Sequence, residues 1–528
     1  MRTPRVLLAA GALTAAILAV PSLASGTPVT TNGCIDSVPE PGTTTPVQIC
    51  YSLFQPADAS PDHQVPIVFH SHGWGGSRTT TASSFQKWLD ADFAVLSFDQ
   101  RGFGESGGKA HIENPDIEGW DVEKLVDMVA ALPWIRHNVD SNGNTVADDP
   151  VLGSIGGSYG GGYQFAGAFA DMMHRPDHQT RFDAMAPEIT WWDLNESLAP
   201  ENVVRTAWVT ALYAAGAPAE TTDVHEGFAY GAATGNWPDG SLPGEPDLTA
   251  FFAHNGPKWQ AGQGRQLNIP VLFGQGETDN LFPLEQGLKN WAGAITDVAR
   301  AKSIFVGYNG GHTLPSAYPA GVGTAADPCS KQLGGGSFED LSLQFMQHYL
   351  QGIDTPNLYD AMGLLHLSTA AGDRCVTVAS PEANTDVTVP QVLTNTSAGA
   401  PQVTKLLDGP LTVAGTPTLD GSLTTVGLNN RAFFALAVGT SLADAKIVQN
   451  NVRPLNEPDL VSGVATHVEL PSVAIDVPAG QSLFLLVSPT SDMFFGHGSR
   501  TPGVIELDNV TVHVPVVYGQ AGGLPHTG

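Results

Sequence analysis

The chain has 528 residues, too many for one hydrophobic core, so two or three domains are expected. Hydrophobic residues make up 42% and charged residues 14%, the balance of a globular chain and not of a disordered one. With 23 basic against 52 acidic side chains the net charge is −29, which speaks against a nucleic-acid partner, because neutralising phosphates takes Lys and Arg.

Arg2 and Arg5 precede an almost purely apolar run from Val6 to Val20, and Pro21-Ser22-Leu23-Ala24 offers small residues where a signal peptidase reads. Residues 1–24 are therefore expected to be a cleaved export signal; the alternative is an uncleaved anchor, for which the run is short. No other segment is apolar enough to cross a bilayer, so no stable membrane insertion is expected. Export agrees with the four cysteines, Cys34, Cys50, Cys329 and Cys375, a sparse even set that suggests two disulfides. Cys34 with Cys50 is the nearest pairing in sequence, but three connectivities are open.

From about Val65 apolar runs alternate with helical patterns. Strands are expected at Pro66–His70, Phe93–Phe98, Val151–Ile155, Ile269–Phe273 and Ala301–Val306. Helices are expected over Ile117–Leu132, with Val122, Leu125, Val126 and Val129 on one face, and over Phe338–Gln351. Such alternation argues for an α/β fold with a parallel sheet covered on both faces. Between about 186 and 264 the rhythm breaks into a Trp-, Ala- and Pro-rich stretch holding Trp191, Trp192, Trp208, Trp237 and Trp259. It reads as a helical cap over the sheet's carboxyl ends, or as an ordinary buried helical layer. After about Thr385 short Val/Leu/Thr runs alternate with Gly and Pro turns, the pattern of an antiparallel sandwich or jelly roll. The division is thus 25–385 for the α/β domain, 386–518 for the β domain, and a tail at 519–528. Leu524-Pro525-His526-Thr527-Gly528 in that tail resembles the L-P-x-T-G sorting pattern of bacterial surface proteins. Without the apolar stretch and basic tail of a working signal, it is expected to be a degenerate signal or a flexible tail.

The chemistry is concentrated in a few loops. Gly156-Gly157-Ser158-Tyr159-Gly160 matches the G-x-S-x-G turn between a strand and a helix, where glycines make room and the serine hydroxyl is presented to a site. A serine hydroxyl needs a base. His312, in Gly310-Gly311-His312-Thr313 beyond a late strand, stands where one belongs. The base needs an orienting carboxylate. Asp279 follows the Ile269–Phe273 strand, and the order Ser158, Asp279, His312 is that of the α/β-hydrolase triad. Glu277 is the competing acid; otherwise it is a loop charge facing water. Oxyanion donors are expected from the backbone N–H groups of Tyr159 and Trp74, the latter in Ser71-His72-Gly73-Trp74-Gly75-Gly76, with His72 structural.

Asp99-Gln100-Arg101-Gly102-Phe103-Gly104-Glu105-Ser106, the serine turn, the Asp279 loop and Gly311-His312 together resemble the α/β-hydrolase superfamily. Ala474–Ser488 resembles the final jelly-roll domain of the cocaine-esterase-like and X-Pro dipeptidyl-peptidase-like hydrolases. The resemblance implies cleavage of esters or amides, or of short peptides, through an acyl-enzyme on a Ser158–His312–Asp279 triad, without cofactor. Some members use an oxyanion-hole tyrosine where this chain has His-Gly-Trp-Gly-Gly, so no tyrosine carries over. An exopeptidase should hold the substrate's ammonium with carboxylates. Asp193 and Glu196 in the cap are candidates, with surface or capping roles as the plainer reading.

Asp140, Asn142, Asn144 and Asp148 resemble the start of a Ca²⁺ loop, but Thr145 and Val151 stand where Gly and a bidentate acid belong, so an Asx-rich turn is the alternative. A reading of another class is a surface-displayed binding protein whose β domain does the work and whose hydrolase core is inert.

Overall fold

The computed structural model describes residues 26–313, 326–395, 399–449, 451–499 and 501–517; residues 1–24, expected to be an export signal, and the 519–528 tail fall outside them. Ten strands form the principal sheet: β1 (Val29–Ser37), β2 (Val47–Gln55), β3 (Ile67–Ser71), β4 (Ala94–Phe98), β5 (Leu152–Gly157), β6 (Phe182–Glu188), β7 (Leu272–Gly276), β8 (Ile304–Tyr308), β9 (Leu365–Ser368) and β10 (Cys375–Val378). Their order is β1-β2-β4-β3-β5-β6-β7-β8-β9-β10. Pairing is parallel from β4 through β9 and antiparallel at both margins. The central strands are almost continuously apolar because both faces are covered. Along β3, Ile67 and Phe69 point into one core layer and Val68 into the other. Helices α1 (Glu118–Ala130) and α2 (Tyr159–His174) pack on the first face. Among the later helices, Leu284 and Leu288 join the same layer, whereas Phe338, Leu341 and Phe345 fill the second.

Two readings of the chain are corrected. The cap does not begin at 186, since β6 runs to Glu188 and inserts a strand between the serine strand and the Asp279 strand. That strand follows Leu272–Gly276, three residues later than the apolar run suggested. The cap holds α3 (Thr206–Gly216), α4 (Thr222–Thr234) and several shorter helices. Its own core includes Trp191, Trp208, Val209, Phe228 and Phe252.

The disulfides are Cys34–Cys50, directly cross-strand between β1 and β2, and Cys329–Cys375, which ties a short helix to β10.

The C-terminal β domain presents two main sheets on one core. One contains Thr385–Asn395, Val504–Val514, Thr418–Val426 and Val464–Glu469 in that order; the other is built on Gln402–Asp408, Ser482–Ser488 and Asn430–Gly439. Val392, Leu419 and Val512 of the first face Phe434, Leu436 and Leu485 of the second. This domain is not a pendant. Phe433, Met493 and Phe494 enter the cap's core, Arg453 reaches Glu196 of the cap at 3.0 Å, and Glu469 pairs with Lys289 of the α/β domain at 2.9 Å. No described helix is long and apolar enough to cross a membrane.

Candidate active site

The serine turn is built from the close approach of β3, β5 and α2. Ser158 is the N-cap of α2 and is held at φ 57°, ψ −123°, a conformation that a non-glycine residue adopts at a cost. Its flanking glycines leave no room for side chains. A Cβ on Gly160 would stand 2.5 Å from the Ser71 carbonyl oxygen, and one on Gly156 would collide with the Gly160 carbonyl. The strained turn is fixed by the Ser158 N–H donating to the Glu188 carbonyl at 2.9 Å, and by Gly161 and Gly162 N–H groups donating to the Ser158 carbonyl.

Asp279 and His312 meet as expected from their loops. Asp279 Oδ2 lies 2.7 Å from His312 Nδ1, while its Oδ1 accepts from the N–H groups of Leu281 and Phe282 at 2.9 and 3.0 Å. Asp279 is fully buried. The imidazole is packed edge-on against Trp208 of the cap at 5.5 Å and Phe282 at 5.4 Å. Trp208 in turn donates its indole N–H to Asn280 Oδ1 at 3.0 Å. Phe282 also lines the cavity that Ser158 lines, so one residue packs on the imidazole, donates its N–H to the carboxylate and faces the serine's cavity.

That cavity spans about 380 Å³, part of it open to solvent. Among the described residues its walls apart from Ser158 are apolar or aromatic, including Trp74, Tyr159, Trp191, Leu198, Phe228 and Phe282. Among the described residues, neither the Trp74 nor the Tyr159 backbone N–H has an acceptor, which leaves both free for an oxyanion. The Trp74 indole donates to the Leu212 carbonyl of α3 at 3.0 Å, tying the loop after β3 to the cap.

His72 is structural. Its Nδ1 faces the Gly73 carbonyl at 2.8 Å and its Nε2 accepts the Gln100 N–H at 3.1 Å, and burial pushes its pKa down, so the ring is a neutral brace. Glu277 is not a loop charge facing water. It is fully buried, its carboxyl accepts from Ser368 N–H and from Gln449 of the β domain, and burial pushes it up to about 8. It sits away from the imidazole, as a seam between the domains. Asp193 caps the short helix Leu194–Leu198 through Asn195 N–H and pairs with Lys258 at 2.6 Å. Glu196 is held at about 2, against the cost of its burial, by Lys289 and Arg453. Both carboxylates are thus occupied by protein cations, and neither is free for a substrate ammonium.

The Asp140 loop is a hairpin turn. Asp140 Oδ1 accepts from Asn142 and Asn144 N–H groups at 2.8 Å, and Asp148 pairs with Arg175 at 3.0 Å, so the four oxygen side chains are not gathered around one point.

Fold and site together define an α/β hydrolase. A model of the X-Pro dipeptidyl-peptidase (S15 family) matches residues 46–313, half of the chain, and the protein belongs to that family. Among solved structures, a CocE/NonD family hydrolase from Staphylococcus aureus is similar over 93% of this chain and 94% of its own, with TM-score 0.62 and 12% identity. An α-amino acid ester hydrolase is similar over 95% and 100%, with TM-score 0.60 and 13% identity. An aminopeptidase from a marine sediment archaeon, Thaumarchaeota archaeon, gives 0.59 and 12% over 92% and 96%. At those identities the likeness is one of fold, and it extends through the β domain. A 107-residue stretch is also 29% identical to an uncharacterized 31.7 kDa protein from the traX-finO intergenic region of Escherichia coli, spanning a third of that relative's length.

Proposed function

We infer that the protein is an exported serine hydrolase that cleaves carboxylic esters or amides with an apolar acyl group through an acyl-enzyme on Ser158. The observation that carries the reading is the buried Asp279 carboxylate on His312 Nδ1, with Phe282 packed on that imidazole and lining the cavity that Ser158 also lines. With Asp279 fixed by two N–H donors, the proton of the neutral imidazole stays on Nδ1, and Nε2 is the basic nitrogen. His312 takes the Ser158 proton as the oxygen attacks the carbonyl, and the Trp74 and Tyr159 N–H groups receive the oxyanion. His312 then protonates the leaving group, and water, activated by the same nitrogen, releases the acid. Export rests on the apolar leader and agrees with two disulfides.

The apolar cavity and the engaged Asp193 and Glu196 favour esters over peptides with a free amino terminus. The second reading, cleavage after X-Pro, is favoured by the family membership. Comparing kcat/KM on a butyrate nitrophenyl ester and on an Ala-Pro nitroanilide separates them. The ester should be the better substrate; a higher value on the anilide would reverse the assignment.

A further inference from the structure

A second cavity lies behind Trp191, whose ring walls it from the Ser158 cavity and rests against Gly162 of α2. It has free space for a single water-sized occupant. Glu113 faces it, 2% exposed, and among the described residues neither carboxyl oxygen has a hydrogen-bond partner. Asn255 faces it too, 1% exposed. Its amide donates to the His111 and Ile112 carbonyls at 2.7 and 2.9 Å, and its Oδ1 is left unpartnered. The chain is bent to put Glu113 there, since Ile112 and Glu113 are consecutive residues at φ 60° and 59°, a costly conformation for a β-branched residue.

The neighbouring charges do not serve Glu113. Glu118 accepts from His111 and Asn114 N–H groups, Asp121 pairs with Arg101 at 2.6 Å, and His111 pairs with Glu40 at 2.7 Å. His254, on the cavity wall, packs at a tilt against Trp259, ring centres 4.0 Å apart. The unpartnered polar atoms of Glu113 and Asn255 are three oxygens. Burial beside Glu118 and Asp121 holds the Glu113 carboxyl well above the usual carboxylate range, so a bound cation would take the place of its proton. A buried acceptor cluster of that kind is complementary to a cation.

We propose that this cavity binds one dehydrated monovalent cation of water's size, potassium or ammonium, between the Glu113 carboxylate and Asn255 Oδ1. The ion would neutralise Glu113 and offset the strain at Ile112 and Glu113, stiffening the layer between α2 and the cap. Because Trp191 separates the cavities, the ion is not the substrate.

The test is thermal unfolding of the full mature chain at fixed ionic strength in potassium, ammonium or tetramethylammonium chloride, the last too large to enter. Potassium or ammonium should raise Tm saturably by about 2–5 °C, and Glu113→Gln should abolish the difference between salts. Equal Tm in all three salts, or an undiminished rise in the variant, would overturn the proposal. Should that variant not fold, crystals of the native chain soaked in rubidium chloride decide the matter. An anomalous peak between Glu113 and Asn255 supports the site, and a peakless cavity overturns it.

Discussion

Asp279 places its two carboxyl oxygens in different service: Oδ2 holds His312 Nδ1 at 2.7 Å, and Oδ1 is clamped by the N–H groups of Leu281 and Phe282. Asp279→Asn can keep the second set of bonds while presenting an N–H or a weak acceptor to the imidazole. It should therefore fold with unchanged Tm and lose about 10⁴-fold in kcat. Steady-state kinetics on the nitrophenyl ester, with circular dichroism as the folding control, check both halves.

Gly160 predicts a cost in stability. A Cβ there meets the Ser71 carbonyl oxygen at 2.5 Å, and that atom is main chain and cannot swing away. Gly160→Ala should cost about 3 kcal/mol or more in urea unfolding. Gly262→Ala, where a Cβ has open space, should stay within about 0.5 kcal/mol of the native chain.

Much of this site was legible in the sequence because its signals are local: a strand, two close-packed glycines, a serine, and loops following apolar runs. What was illegible depended on distant partners or on weak periodicity. β1, with Thr30, Thr31 and Asn32 exposed at the sheet's edge, has no apolar pattern to read. β6 runs over Phe182–Glu188, and its last residues, from Ala186, read as the start of the cap. The burial of Glu277 comes from Gln449 and Asn451, more than 170 residues further on. Its flanking glycines and Thr278 gave no hint that a second domain would close over it.

The disulfide between Cys329 and Cys375 closes a loop of 46 residues and holds the helix after the His312 loop against β10. Restricting the unfolded chain that far is worth about 3–4 kcal/mol. Cys329→Ser with Cys375→Ser should lower stability by that amount. Addition of a strong reductant should lower the Tm of the native chain and leave that of the double variant nearer its starting value.

Stability should depend on pH in a definite direction. Burial pushes Glu118 and Glu277 up to about 8 and Glu220 to about 7. A carboxyl whose folded pKa is raised binds a proton that the unfolded chain has released, so each group's contribution falls as pH rises from about 4.5 toward its folded value. Burial lowers His70 to about 4, so its contribution is lost as pH falls from 6.5 toward 4. Glu196, held at about 2, adds to the loss only below about 4.5. Above pH 6.5 the raised carboxyls set the slope, at roughly 1 kcal/mol per group per pH unit, and His513, raised by Asp386 and Asp420, adds to it in the same direction. Calorimetry should show Tm falling from pH 6.5 to pH 8; a Tm that rises over that interval would contradict the assignment of these carboxyls.

The central claim is that Ser158 is an activated nucleophile, and fluorophosphonate labelling of the purified mature chain tests it most directly, with the modified residue located by mass spectrometry. The account predicts a stoichiometric adduct on Ser158, absent from Ser158→Ala and slowed severely in Asp279→Asn. A folded native chain that takes no label, or takes it on another residue, would contradict it.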